Sequence, residues 1–481
     1  MNNSEHAARA ADQQSVALIV DGQKVATDQS FDVIDPATGE AFAQAPLASL
    51  DDLDRAVAAA RRAFPAWAAT SVEARAEAVE RIADALEAER DALGAILSRE
   101  QGKPLQKSAV GEIMGAAAWA RATAKLRPPV EVVKDDASEL VEVHRRPLGV
   151  VGSITPWNYP VLIAIWHVIP ALVAGNTVVL KPSPYTPLST LRLIEIANAH
   201  LPAGVLNSVT GDATLGQAMT GHKGIDKIIF TGSTPTGRRI MASGASNLKR
   251  LTLELGGNDA AIVLVDADVE TIAPKIFSKS FGNSGQTCAA LKRLYVHESI
   301  HDALAERLAE MARDARVGPG NDPASQFGPV QNKAQFDYLC SLAEDARASG
   351  GRFLSGGAPM DRAGYFFPLT VVVDVADGVR IVDEEQFGPI LPVIRFSDPE
   401  DALARANANE NGLGGSVWSS DIGTARALAE RMQVGTAWVN DHSTISPDAP
   451  FGGAKQSGVG TEFGLHGLDE YMQLQTVRIS R

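Results

Sequence analysis

Lys227-Ile228-Ile229-Phe230-Thr231-Gly232-Ser233-Thr234-Pro235-Thr236-Gly237 passes from an apolar strand-like run, through a glycine turn, into a segment that reads as a helix over residues 238–244. A strand, a glycine turn and a helix N-terminus together leave backbone N–H groups free to meet a phosphate. The glycine spacing is Gly-x4-Gly rather than Gly-x-Gly-x-x-Gly, so alone it fits a plain βα turn equally well. The flanking sequence decides the fold. Apolar runs at residues 149–154, 176–180, 205–209, 227–230 and 250–254 are separated by stretches long enough for helices. Such alternation means βαβ units and a parallel sheet in an α/β protein. A second alternating region covers residues 260–440.

Toward the N-terminus, strand-like runs at residues 17–20 and 31–34 are broken by the turn dipeptides Asp21-Gly22 and Asp35-Pro36. Residues 51–97 read as helical, with Leu53, Val57, Ala60, Phe64, Val79, Ile82 and Leu86 at three- and four-residue spacing. Pro65 is expected to interrupt that stretch, and Asp51 or Asp52 to cap its start. Further helix runs to about residue 124. Val130 to Val133 and Leu140 to Val143 alternate apolar and polar residues around Asp135-Asp136, the pattern of a projecting two-stranded ribbon. The most apolar stretch, residues 157–180, contains Asn158, Pro160, His167, Pro170 and Asn176. That many polar and proline interruptions suit a buried element rather than a membrane span.

At 481 residues, length suggests two to four domains. The net charge of −14 excludes the counterion-release energy that nucleic acid binding draws on. Two cysteines, Cys288 and Cys340, make no disulfide framework, and a reducing, cytoplasmic setting is expected. Residues 1–14 carry no apolar segment of a signal peptide. No metal-ligand cluster stands out.

Four further stretches carry chemistry. Lys181-Pro182-Ser183-Pro184 follows the run 176–180 directly, where a doubly wound sheet takes ligands. Lys181 there suits a ribose hydroxyl, or simply a surface position in a proline-stiffened loop. Glu254 ends a strand before Gly256-Gly257, an open setting for a general base, though a strand-end glutamate is more often simply solvated or paired. Cys288 lies in Gly282-Asn283-Ser284-Gly285-Gln286-Thr287-Cys288-Ala289-Ala290. A lone cysteine is commonly a small core residue, but a core seldom spends that many glycines. Asn158, between Pro156 and Pro160, offers an amide to an oxyanion, or forms a turn.

Together with Glu384-Glu385-Gln386-Phe387-Gly388-Pro389 and residues 450–458, these motifs, in this order, resemble the aldehyde dehydrogenase superfamily over essentially the whole chain. The resemblance implies a Rossmann-like cofactor domain (residues 1–127 and 148–255), an α/β catalytic domain (256–464) and a small β oligomerisation ribbon (128–147 and 465–481), in a homodimer or homotetramer. It implies that Cys288 attacks an aldehyde, that Asn158 and the Cys288 N–H hold the oxyanion, and that Glu254 activates water against the thioester. It places NAD, with NADP not excluded, on Thr155, Trp157, Lys181, Ser183, Pro184, Gly211, Gly216, Phe230, Thr231, Gly232, Ser233, Leu255, Gly256, Glu385 and Phe387. Glu462 is implied in proton exit from the base.

Two positions depart from the family pattern. Pro184 stands where many NAD-preferring members carry a glutamate that repels a 2′-phosphate, which leaves cofactor choice open. The lean is to NAD, since no basic residue beyond Lys181 sits in that loop. His167 replaces a common lysine, and a titrating histidine on the exit route would give kcat a pH dependence near neutrality; a packed structural histidine would not. Candidate substrate-pocket residues are Tyr159, Ile163, Trp166, Thr287, Ala289, His442, Ile445 and Phe451, mostly apolar and aromatic. No arginine is placed to grip a carboxylate. A coenzyme A-acylating dehydrogenase or a cofactor-independent cysteine esterase are the competing activities. Glu254 argues against the first and the cofactor motifs against the second.

Overall fold

The computed structural model describes residues 16–481, so the N-terminal stretch read for a signal peptide lies outside the described residues. The five apolar runs form parallel strands, side by side in the order Arg250–Glu254, Lys227–Thr231, Val150–Ile154, Thr177–Lys181, Leu206–Ser208. Every residue of the middle three is buried. Strands covered on both faces need continuous apolar sequence, which is why these runs do not alternate. Strand order reverses between Val150–Ile154 and Lys227–Thr231, and ligands of open α/β sheets bind at the carboxyl ends beside such a reversal. A late segment closes one edge: Gly458–Val459 pairs antiparallel with Leu253 and Glu254.

The second sheet has the order Arg352–Ser355, Thr370–Val373, Ile390–Phe396, Leu291–His297, Asp259–Val263, Gly414–Trp418, Thr436–Val439, with only Arg352–Ser355 antiparallel to its neighbour. The chain passes from the first sheet to the second through residues 255–258, and Cys288 lies just before Leu291–His297. The reactive segments therefore collect where the two sheets face each other.

Glu131–Asp135 pairs antiparallel with Glu139–Pro147, and Met472–Ser480 lies along the other edge, from Met472 opposite Pro147 to Ser480 opposite Glu139. Among the described residues no helix is long and apolar enough to cross a membrane. The apolar stretch around residue 165 is instead the buried helix Pro160–Ala174 followed by a central strand.

Three local expectations change. The helix Leu50–Ala68 is capped by Ser49, whose side chain accepts from the Asp52 N–H while Asp52 reaches back to the Ser49 N–H. Asp52 thus completes a capping box from inside the helix rather than capping it. Pro65 does not break this helix; the break comes at residues 69–71, before Val72–Ala88. The helix after Gly232 starts at Thr234, because Pro235 in a first turn gives up an N–H that has no helical partner anyway.

Candidate active site

A cleft of about 380 Å³ opens at the strand reversal. Its wall takes Thr155, Trp157 and Asn158 from the end of one central strand, and Lys181, Ser183 and Pro184 from the end of the next. Phe230, Thr231, Gly232 and Ser233, then Leu255 and Gly256, continue it; Cys288, Glu385 and Phe387 close it from the second sheet. Gly211 and Gly216 do not reach the wall, since Gly216 sits behind the Lys181 stem and Gly211 packs on Leu215. Thr236 and Gln335 also line the cleft. The first was readable as part of the turn after Gly232; the second arrives on a distant helix without a local motif.

Lys181 is 4% exposed, and burial draws its pKa down to about 8. Among the described residues its Nζ donates to the neighbouring Pro182 carbonyl alone, at 3.3 Å, so a buried cation faces the cleft with donors to spare. Ser233 is the N-cap of Thr234–Gly244 and makes no side-chain cap bond; Pro235 has no N–H and the Thr236 N–H goes to the Ser233 carbonyl at 3.0 Å, so this turn meets the cleft through the hydroxyls of Ser233 and Thr236. Glu385 is held by Lys292 at 3.0 Å and by the Gly257 N–H at 3.1 Å. A side chain at Gly256 would collide with the Glu385 carboxylate, so the glycine keeps that approach clear. Phe387 meets Trp157 edge-on at 5.2 Å.

The thiol segment departs from helical geometry after Val269–Phe281: Asn283 and Ser284 have φ of 53° and 56°, and Gly285 has φ of 71°. Gly285 lies so close to the Gly388 carbonyl that any Cβ would overlap it. Asn158 Nδ2 donates to the Gln286 carbonyl at 3.0 Å, while its Oδ1, though buried, has no partner. Burial pushes the Cys288 thiol up to about 12; the Lys292 charge opposes that, and Asp259, Glu254 and Glu385 add to it. Lys292 also donates to the Cys288 carbonyl. No sequence motif marked Lys292, which reaches the site only through the register of Leu291–His297.

Glu254 is 4% exposed and neither carboxylate oxygen has a hydrogen bond. Burial, then the charges of Glu462 and Glu470, hold its pKa well above the usual carboxylate range. Glu462 is raised to about 8 by burial, against the pull of Lys227. His167 is enclosed between Ser153 Oγ and Thr231 Oγ1, each at 3.0 Å, with Nε2 3.4 Å from Glu462. Burial, and secondarily Lys227, depress it to about 3.

Beside Cys288, Ala289, Leu413, Phe451 and Phe463 form an apolar cluster with Trp119, Trp166, Trp438 and Ile445. Trp119, Trp166 and Phe463 meet one another at 4.8–5.3 Å. Trp166, Ala289, Ile445 and Phe451 were anticipated; Trp119, Trp438 and Phe463 were not, being scattered along the chain. Tyr159 bonds Thr287 through their hydroxyls at 3.2 Å. Ile163 is 2% exposed within its helix. His442 is fully buried, with Nδ1 2.8 Å from Ser416 Oγ and Nε2 3.6 Å from Asp259, so both ring nitrogens face protein. Among the described residues no group of acidic, histidine or cysteine side chains has the arrangement of a metal site.

Residues 23–477 match the model of the aldehyde dehydrogenase family. The chain is 39% identical to aldehyde dehydrogenase LUC3 of a Fusarium species over 461 residues, covering 95% of this chain and 97% of that one. A point mutant of an aldehyde dehydrogenase from Bacillus cereus superposes with a TM-score of 0.96 at 34% identity, covering 100% and 99% of the two chains. Betaine aldehyde dehydrogenase from Staphylococcus aureus, solved in complex with NAD+, gives 0.95 at 33% identity, covering 98% and 97%. With a whole-length family match and relatives above 30% identity over nearly their full length, the chain belongs to the aldehyde dehydrogenase family.

Proposed function

We propose that this protein oxidises an aldehyde to a carboxylic acid with a nicotinamide dinucleotide, through a thioester on Cys288 that water cleaves. The observation that carries the reading is the meeting of Cys288 and Asn158 on the cleft wall, with a buried, unbonded Glu254 near enough for its charge to act on the thiol. The cleft suits a dinucleotide: Lys181 and the hydroxyls of Ser233 and Thr236 supply donors for ribose and pyrophosphate, and Glu385 an acceptor for the second ribose. When bound, the nicotinamide accepts hydride from the substrate carbon.

The chain supplies the rest. The Cys288 thiol passes its proton to Glu254, from which it leaves through Glu462, and the sulfur adds to the aldehyde carbon, whose carbonyl oxygen becomes an oxyanion. With one Nδ2 hydrogen tied to Gln286, Asn158 turns the other on that oxyanion, together with the Cys288 N–H. After the substrate carbon is oxidised, Glu254 takes a proton from water as it attacks the thioester, and sulfur leaves. A raised pKa gives Glu254 the proton affinity a general base needs near neutrality. Glu462 receives that proton on its way out. The tryptophan- and phenylalanine-lined cluster favours an apolar or aromatic aldehyde.

Most cofactor contacts then fall to residues 16–127 and 148–255 and the nucleophile to 256–464, with Asn158, Glu254 and Glu385 crossing that division. The three-stranded ribbon exposes Val130, Val132, Val133, Leu474 and Ile479, an apolar surface suited to a second copy of the chain. The deciding experiment is a panel of aldehydes with NAD and with NADP, followed by absorbance of the reduced cofactor. Aldehyde-dependent reduction is expected; ester hydrolysis with no aldehyde-dependent reduction would favour the cofactor-independent esterase.

A further inference from the structure

Lys103 is 2% exposed, and it follows Gly102, whose φ of 94° turns the chain inward after the helix Arg90–Gln101. Its Nζ lies 2.5 Å from Glu112, donates to the Asn158 backbone carbonyl at 2.9 Å and sits 4.1 Å from the centre of the Tyr159 ring. The other Glu112 oxygen accepts from the N–H groups of Val161 and Leu162, at 3.0 and 3.1 Å, in the first turn of Pro160–Ala174. Asn283 Nδ2, from the thiol segment, donates to the same Asn158 carbonyl at 3.1 Å.

Asn158 is therefore fixed at both ends. Lys103 and Asn283 hold its backbone carbonyl, and the Gln286 carbonyl holds its side-chain amide. Burying an ammonium and a carboxylate is costly, and apolar residues of the same volume fill such space without that cost. A pair kept under those terms calls for a task other than stability. We propose that Lys103, paired with Glu112, is a positioning residue for the oxyanion donor: it locks the Asn158 backbone so that the free Nδ2 hydrogen points at the developing oxyanion beside Cys288. The inference rests on the oxyanion role of Asn158 proposed above. An oxyanion donor works only when preorganised, so a small rotation of residue 158 forfeits most of its effect.

The test is a double-mutant cycle on the full chain with Lys103→Met and Asn158→Ala. It reads the single-turnover rate of cofactor reduction by stopped flow, with cofactor affinity measured alongside. Asn158→Ala should slow hydride transfer on the order of 10²–10³-fold. Lys103→Met should slow it by about 10-fold or more with cofactor affinity unchanged, and the double variant should be no slower than Asn158→Ala alone. Equal slowing by Lys103→Met in both backgrounds would overturn the proposal, as would a Lys103→Met enzyme of full rate. A full-rate Asn158→Ala enzyme would instead remove the oxyanion reading beneath it. If Lys103→Met does not fold, Lys103→Met with Glu112→Leu removes both charges, and the same cycle is run on that pair.

Discussion

Replacing His167 with glutamine removes a buried base while keeping an amide able to meet Ser153 and Thr231. Burial first, and the Lys227 charge second, lower its pKa from 6.5 to about 3. The unfolded chain takes up a proton at about 6.5, whereas the native protein refuses it until about 3, so acid favours unfolding. Stability from this site is complete above pH 6.5 and falls by about 1.4 kcal/mol per pH unit as pH drops toward 3. At pH 4.5, about two units below the unfolded pKa, the deficit is about 3 kcal/mol, and near pH 7.5 it is negligible. Urea unfolding followed by tryptophan fluorescence at these two pH values reads it out. Lost ring packing costs the variant the same at both pH values, so only the change between them counts. His167→Gln should lose about 3 kcal/mol less than the unsubstituted protein on acidification. Equal losses would refute the reasoning. A His167 neutral throughout the physiological range also carries no proton as a cation, against the neutral-pH dependence of kcat considered from sequence. The kcat profiles of the two proteins should therefore run parallel near neutrality.

Cys288→Ala should abolish aldehyde oxidation while cofactor affinity, measured by fluorescence titration, survives; Cys340→Ala should keep full turnover, and the reverse pattern would move the nucleophile. Glu254→Ala should slow turnover by about 10²–10⁴-fold and accumulate an acyl adduct visible by intact-mass spectrometry, whereas unchanged turnover would sink its role as base. Pro184→Glu should lower kcat/KM with NADP far more than with NAD, because a carboxylate at the cleft wall meets a 2′-phosphate; an unchanged ratio would show that this loop does not select the cofactor.

The central strands were legible because burial on both faces writes itself as continuous valine, isoleucine and leucine. The residues following their carboxyl ends, from Thr155 to Asn158 and at Lys181 and Gly232, were legible with them, since the strand reversal sends those ends to the cleft. Helix starts were less so. Ser49 and Asp51 are both good caps by type, and only the reciprocal bond with Asp52 separates them. Long-range packing was illegible. Trp119, Trp438 and Phe463 converge on Cys288 from three elements with no shared spacing. His442 sits in a loop that looked open to substrate, yet its ring nitrogens face Ser416 and Asp259. Lys103 lies in no motif read for chemistry, and its importance appears only once its ammonium is seen against the Asn158 carbonyl.

The edge strand Gly458–Val459 has a bearing on how the protein is made. Gly452, Glu462 and Phe463, which enclose Glu254 and the apolar pocket, are translated after every parallel strand of both sheets. A chain still on the ribosome has its thiol and its parallel strands but not this cover over Glu254, and a carboxyl open to water ionises as a surface carboxylate does. Pairing Leu253 with Val459, and Glu139 with Ser480, also closes very long loops, the slow kind of contact in folding. Both sheets are thus in place before the segment that lifts the Glu254 carboxyl out of the ordinary range is made.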